Sequence, residues 1–201
     1  MRLAAKFMRL QNSLALALVL GLAWAPAVRA DGGGGGGTTN APDPGKCGAG
    51  EYFSDRTGKC EKLRAGALSD RDLAQYAYLL AKAERYNEAI DALNLLKNPN
   101  TAVALNYRGY TTRNMGNLDE GIGYYLRSMR LDPHYAKVRE YLGEAYVLKG
   151  DLASAKYQLM KIKTICGNSA CEEYEHLAEA ISDGPNACGS RYAARRCASG
   201  G

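Results

Sequence analysis

Leu73, Tyr76, Ala77 and Leu80 fall at i, i+3, i+4 and i+7, which lays one apolar stripe along a helix. The same spacing returns in Tyr174, Leu177, Ala178 and Ile181, with Glu172, Glu175 and Glu179 on the opposite face. A helix of that kind turns one side to a core and the other to water, as the terminal element of an array must. The glutamates therefore read as a solvated face rather than an acidic active site. Taken along the chain, the pattern predicts seven helices, over about 70–84, 87–97, 102–115, 118–131, 135–149, 152–165 and 170–182. Start and stop signals agree with these bounds. Ser69 with Asp72, Asn117 with Glu120, and Ser169 with Glu172 have the spacing of capping boxes. Pro133 stops one helix, and Gly116 and Gly150 end two others.

The pattern also repeats. Gly109 recurs as Gly143, Gly116 as Gly150, Leu118 as Leu152, Gly121 as Ala155 and Tyr125 as Leu159, each 34 residues on. An earlier copy lies 32 residues upstream, in Ala77, Tyr86, Ala89 and Leu93. Such a period marks helix–turn–helix units, none of which can bury its apolar face alone. The small residues have a packing role. Ala77, Gly109 and Gly143 are expected to face Ala89, Gly121 and Ala155, letting two helices cross closely.

In these residues the chain resembles the tetratricopeptide-repeat (TPR) family over about half its length. The first unit supplies Leu73, Tyr76, Ala77, Leu80, Ala89, Leu93 and Leu96. The second supplies Leu105, Arg108, Gly109, Thr112, Gly121, Tyr125, Ser128 and Pro133. The third supplies Leu142, Gly143, Tyr146, Ala155, Leu159 and Ile162. Arg108 and Arg139 stand where the family has apolar residues. The resemblance implies an all-α fold: a right-handed solenoid of about three helical hairpins with a C-terminal capping helix. It further implies a concave groove lined by the first helix of each pair. The inward positions would be Arg71, Ala74, Tyr78 and Ala81, then Val103, Asn106, Tyr110 and Arg113, then Lys137, Glu140, Glu144 and Val147. Of these, Arg71, Tyr78, Asn106, Tyr110, Arg113, Lys137, Glu140 and Glu144 are the candidate partner contacts, with Tyr78 and Tyr110 as neighbours on the floor. The family's clamp for chaperone C-terminal tails is matched only by Lys137, against Ala74, Tyr78, Tyr107 and Tyr141, so that use is not expected.

Outside the repeats, the ends speak to compartment. Arg2, Lys6 and Arg9 precede an apolar run from Leu14 to Trp24, too short for a transmembrane helix and the size of a signal-peptide core. Residues 1–30 thus read as a signal peptide, and the protein as periplasmic or secreted, with no membrane span after its removal. Residues 31–46 are rich in Gly, Pro, Thr and Asn and are expected to form a flexible linker. Residues 47–67 read as a turn-rich, cysteine-closed loop from which Tyr52 and Phe53 pack onto the domain at 68–183. Residues 184–201 read as a basic, cysteine-containing tail. Six cysteines in an exported chain suggest disulfides. Spacing favours Cys47–Cys60, Cys166–Cys171 and Cys188–Cys197, although sequence alone does not fix connectivity.

Charge and chemistry narrow the function. The chain carries 26 Lys+Arg and 21 Asp+Glu, and four of the bases lie in the first thirty residues. What remains is nearly neutral, so no diffuse nucleic-acid footprint is left. No G-x-S-x-G, P-loop or H-E-x-x-H occurs, and neither C-x-x-C nor ligand-spaced histidines point to a metal or a redox centre. No cofactor is expected and none of the motifs is catalytic. The leading expectation is a non-catalytic interaction module for a protein or peptide partner. The alternatives are a structural subunit of an envelope complex or homo-oligomer, and, further off, a hydrolytic or redox enzyme.

Overall fold

The computed structural model describes residues 40–184. The expected signal peptide, the glycine run and the tail with Cys188 and Cys197 lie outside them. All seven expected helices are present: α1 Asp70–Lys82, α2 Tyr86–Asn94, α3 Ala102–Asn114, α4 Leu118–Leu131, α5 Ala136–Lys149, α6 Leu152–Cys166 and α7 Glu172–Asp183. None is long and apolar enough to cross a membrane. The Ser69 hydroxyl accepts the Asp72 N–H and donates to the Asp72 carboxylate, closing one expected cap. Asp151 caps α6 through the Ser154 N–H. Two other expected caps fail. The Asn117 side chain makes no cap hydrogen bond, and α7 opens from Cys171 rather than Ser169.

Consecutive helices pack in pairs, α1 on α2, α3 on α4 and α5 on α6. The first helices also stack on one another, α1 on α3 and α3 on α5, and α7 extends the row by packing on α5 and α6. The small residues explain how closely one pair approaches. A Cβ on Gly109 would stand 2.7 Å from the Tyr125 ring, and one on Gly121 would stand 3.0 Å from the Gly109 carbonyl. Gly143 differs from expectation. A Cβ there would first strike Leu177 of α7, at 2.4 Å, so the closest approach it permits is to the last helix. Three apolar clusters result, around Tyr76 and Leu93, around Tyr125 and Leu142, and around Ile162 and Leu177.

Arg108 and Arg139, where the resemblance leads to apolar residues, are accommodated by hydrogen bonding. Arg139 is 9% exposed, donates to the Pro133 carbonyl at 2.8 and 3.2 Å and to Gln158 Oε1 at 3.0 Å. Arg108 donates to Asn94 Oδ1 at 3.0 Å.

The segment before α1 departs from the sequence reading. It holds an antiparallel hairpin, β1 Glu51–Ser54 and β2 Lys59–Lys62, with Phe53 opposite Cys60. The Cys47–Cys60 disulfide closes it. Tyr52 is buried in the first cluster, whereas Phe53 lies only half-buried beneath Lys46. The end of the expected linker also docks. Pro42 is buried, Ala41 packs on the first cluster, and the Asn40 N–H donates to Asp72.

Candidate partner-binding cavity

α1, α3, α5 and α7 line an open cavity of about 270 Å³. Tyr78 and Lys82 come from α1, Tyr110, Arg113 and Asn114 from α3, and Lys137, Glu140, Tyr141 and Glu144 from α5, with Glu172 and His176 at the α7 side. Helical spacing accounts for this convergence. Lys137, Tyr141 and Glu144 lie at i, i+4 and i+7, and Tyr78 with Lys82 and Tyr110 with Asn114 at i and i+4.

The wall is a tyrosine cluster. Tyr78 and Tyr110 are neighbours, as the repeat register predicts, with ring centres 5.4 Å apart in an edge-to-face arrangement. Tyr78 also stacks on Tyr107 at 4.6 Å, and its hydroxyl lies 2.9 Å from that of Tyr141. Tyr110 meets Tyr141 at 5.2 Å. Burial pushes the Tyr107 and Tyr110 hydroxyls up to about 12. These phenols stay protonated at any physiological pH and can donate as well as accept.

Two groups of charged side chains run through the site, one around Arg113 and one around Lys137. Arg113 donates to Glu144 Oε2 at 2.9 Å and to the Tyr141 carbonyl at 3.2 Å. Its guanidinium lies 5.6, 5.9 and 5.7 Å from the rings of Tyr110, Tyr125 and Tyr141, so three aromatic faces surround one buried cation. Lys137 Nζ lies 2.8 Å from Glu140 Oε2, 3.4 Å from Glu172 and 3.5 Å from Glu173. His176 Nδ1 lies 3.0 Å from Glu140 Oε1. Burial raises both Glu140 and Glu144 above the usual carboxylate range, although Lys137 and Arg113 oppose it. Glu144 Oε1 and the Tyr125 hydroxyl have no hydrogen-bond partner among the described residues.

Six of the eight candidate contacts meet here: Tyr78, Tyr110, Arg113, Lys137, Glu140 and Glu144. Two do not. Arg71 is exposed and does not line the cavity. Asn106 is fully buried and donates to the Tyr135 hydroxyl at 3.2 Å. The sequence reading assigned no contact role to Lys82, Tyr141, Glu172 or His176. The first two follow from extending the same helix stripe by one turn. Glu172 and His176 required knowing that α7 folds back onto α5. Cys166 and Cys171 are joined, with Cα atoms 6.3 Å apart. Glu173 lies close to their sulfurs, but sulfur committed to a disulfide is not the thiolate that metals bind. The chain matches no family model, and no curated protein matches it.

Proposed function

We propose that this chain is an exported interaction module, with a TPR-type right-handed solenoid of three hairpins capped by α7, and that it binds a protein or peptide partner without catalysis. The observation that carries the reading is the meeting of Tyr78, Tyr110, Arg113, Lys137, Glu140 and Glu144 from α1, α3 and α5 on one cavity. Each of those helices is the first of a consecutive pair, where the repeat register puts a ligand-facing side. The composition of the wall supports recognition, since Tyr and Arg dominate binding hot spots. The cavity's carboxylates are engaged by Lys137 and Arg113, which suits a shaped, charge-balanced surface better than an acid–base pair. Two disulfides support an oxidising compartment, in keeping with the signal-like first thirty residues.

The test uses the chain as bait against the native envelope fraction, beside Tyr78→Ala/Tyr110→Ala. A protein retained by the wild type should be lost from the variant, a weakening of ~2–4 kcal/mol for two aromatic contacts. Because Tyr78 is packed and hydrogen-bonded, Tyr78→Phe serves as a milder companion, and circular dichroism reports whether the helices persist. A partner held equally by all three proteins would remove this cavity from the binding site.

A further inference from the structure

A second cavity, of about 420 Å³, opens between the β-hairpin and helices α1 and α2. Leu63, Tyr76 and Leu80 give it an apolar wall, and Glu51, Glu88 and Asp91 are its charged residues. Two of its polar groups are already committed. The Tyr76 hydroxyl donates to the Glu51 carbonyl at 2.7 Å. Glu88 accepts from the Arg85 guanidinium at 2.7 Å and from the Gly50 N–H at 3.1 Å. The carboxylates of Glu51 and Asp91 make no ion pair among the described residues. An apolar wall with two unspent carboxylates and no lining base suits a segment that joins an aromatic side chain to arginines. Arginine stems would cover the wall while their heads meet the acids.

Setting aside the expected signal peptide, the chain contains one such segment outside the described residues. Residues 31–39 hold no base, whereas residues 185–201 carry Arg191, Arg195 and Arg196 beside Tyr192, with no acid. We propose that residues 191–196 of a second copy dock in this cavity, joining copies head to tail. The root of the tail and the cavity lie at opposite ends of the helix row, since α7 packs on α5 and α6 and touches neither α1 nor α2. From α7 through α5 and α3 to α1 is three helix spacings, roughly 24–30 Å. The seven residues from Gly184 to Arg191 span at most about 25 Å fully extended. A chain's own tail would have to run straight and taut to reach the cavity, while a neighbouring copy's tail arrives without that constraint. Each copy offers both a cavity and a tail, so the contact is heterologous and either closes a ring or continues.

Sedimentation of the mature chain, disulfides intact, tests this. Its average mass should rise with concentration at low salt and fall back as salt shortens the screening length. Asp91→Asn with Glu51→Gln should weaken association about tenfold, which corresponds to about 1.4 kcal/mol. Full reversal gives the sharper result. Glu51→Lys/Asp91→Lys alone, and Arg191→Glu/Arg195→Glu/Arg196→Glu alone, should each stay monomeric. Their equimolar mixture should associate, because both cavity–tail pairs are again of opposite charge, and this recovery also shows that both variants fold. A wild type that is monomeric at every concentration overturns the proposal, as do reversed variants that associate like the wild type. A monomer in which the tail substitutions change hydrogen exchange at residues 50–63 and 88–95 overturns it too, by assigning the cavity to the chain's own tail.

Discussion

Gly143 has no room for a single carbon: a Cβ would lie 2.4 Å from one Leu177 methyl and 2.6 Å from the other. Gly143→Ala should therefore cost ~1–3 kcal/mol in urea unfolding, as overpacking does. The cost should fall when Leu177→Ala is made as well, since the two substitutions share one contact. Strictly additive costs would show that Leu177 is not what the alanine strikes. The need for a small residue at this position was legible from Gly109 and Gly143 standing 34 residues apart. Its neighbour was not, because that is fixed by the return of α7 from far along the chain. Glu140 carries a second residue-scale consequence. Burial holds its folded pKa above the ordinary value, so the folded state binds this proton more tightly than the unfolded chain does. Stability then falls as pH rises from the unfolded value, about 4.3, through the folded one. Glu61, Asp70, Glu88 and Asp151 are shifted downward and act at lower pH, in the opposite sense. Unfolding free energies between about pH 5 and 8 should decline in the wild type and decline less in Glu140→Gln. Equal slopes in the two proteins would refute the assignment.

At the scale of elements, α7 is both a cap and a wall. Leu177 and Ala180 bury its inner face, while its first turn sends Glu172 and Glu173 to Lys137 and places His176 beside Glu140. The apolar stripe made this helix legible as a closing element. Its start was not legible, because the disulfide at Cys171 takes the place of a serine cap in directing the chain. Cys166→Ser/Cys171→Ser opens a ring whose ends are only 5 residues apart, so the unfolded-state effect is small, about 2 kcal/mol. The local effect should be larger. Hydrogen exchange by mass spectrometry is expected to show faster exchange over residues 166–183, with α1 to α4 unchanged. Equal protection of that segment in the variant and the oxidised wild type would mean that packing alone holds α7. The β-hairpin escaped the sequence reading for a different reason. Strands of 4 residues are too short to display a period, and their glycine-rich, disulfide-closed surroundings read equally well as turns.

Across the described residues, helix backbones pack on their sequence neighbours and on the next stacked helix, and the Tyr78–Tyr141 hydrogen bond reaches one helix further, from α1 to α5. Stability in such a row is a sum of local interfaces, and the ends open before the middle. The two ends are fastened differently. At the C-terminal end, a disulfide links α7 to the helix it packs against. At the N-terminal end, Cys47–Cys60 ties the hairpin only to itself, so its docking on α1 and α2 depends on weaker contacts. Arg85 is the centre of these. Its guanidinium donates to the carbonyls of Pro44 and Gly48 and to both carboxylate oxygens of Glu88, whose Oε2 also accepts the Gly50 N–H. Tyr52 and Tyr76 supply the apolar part. Arg85→Ala removes the hub: the Pro44 carbonyl loses its donor, while the Gly48 carbonyl keeps only the Glu51 N–H and Glu88 only the Gly50 N–H, a loss on the order of 1–3 kcal/mol for such groups. Residues 40–63 should then exchange amide protons faster and become accessible to protease, while α3 to α6 keep full protection. If protection instead fell evenly from α1 to α7, the molecule would be unfolding as one cooperative unit, and the picture of a row of separable interfaces would be wrong. If residues 40–63 kept their protection, Tyr52 and Tyr76 alone would suffice to hold the hairpin.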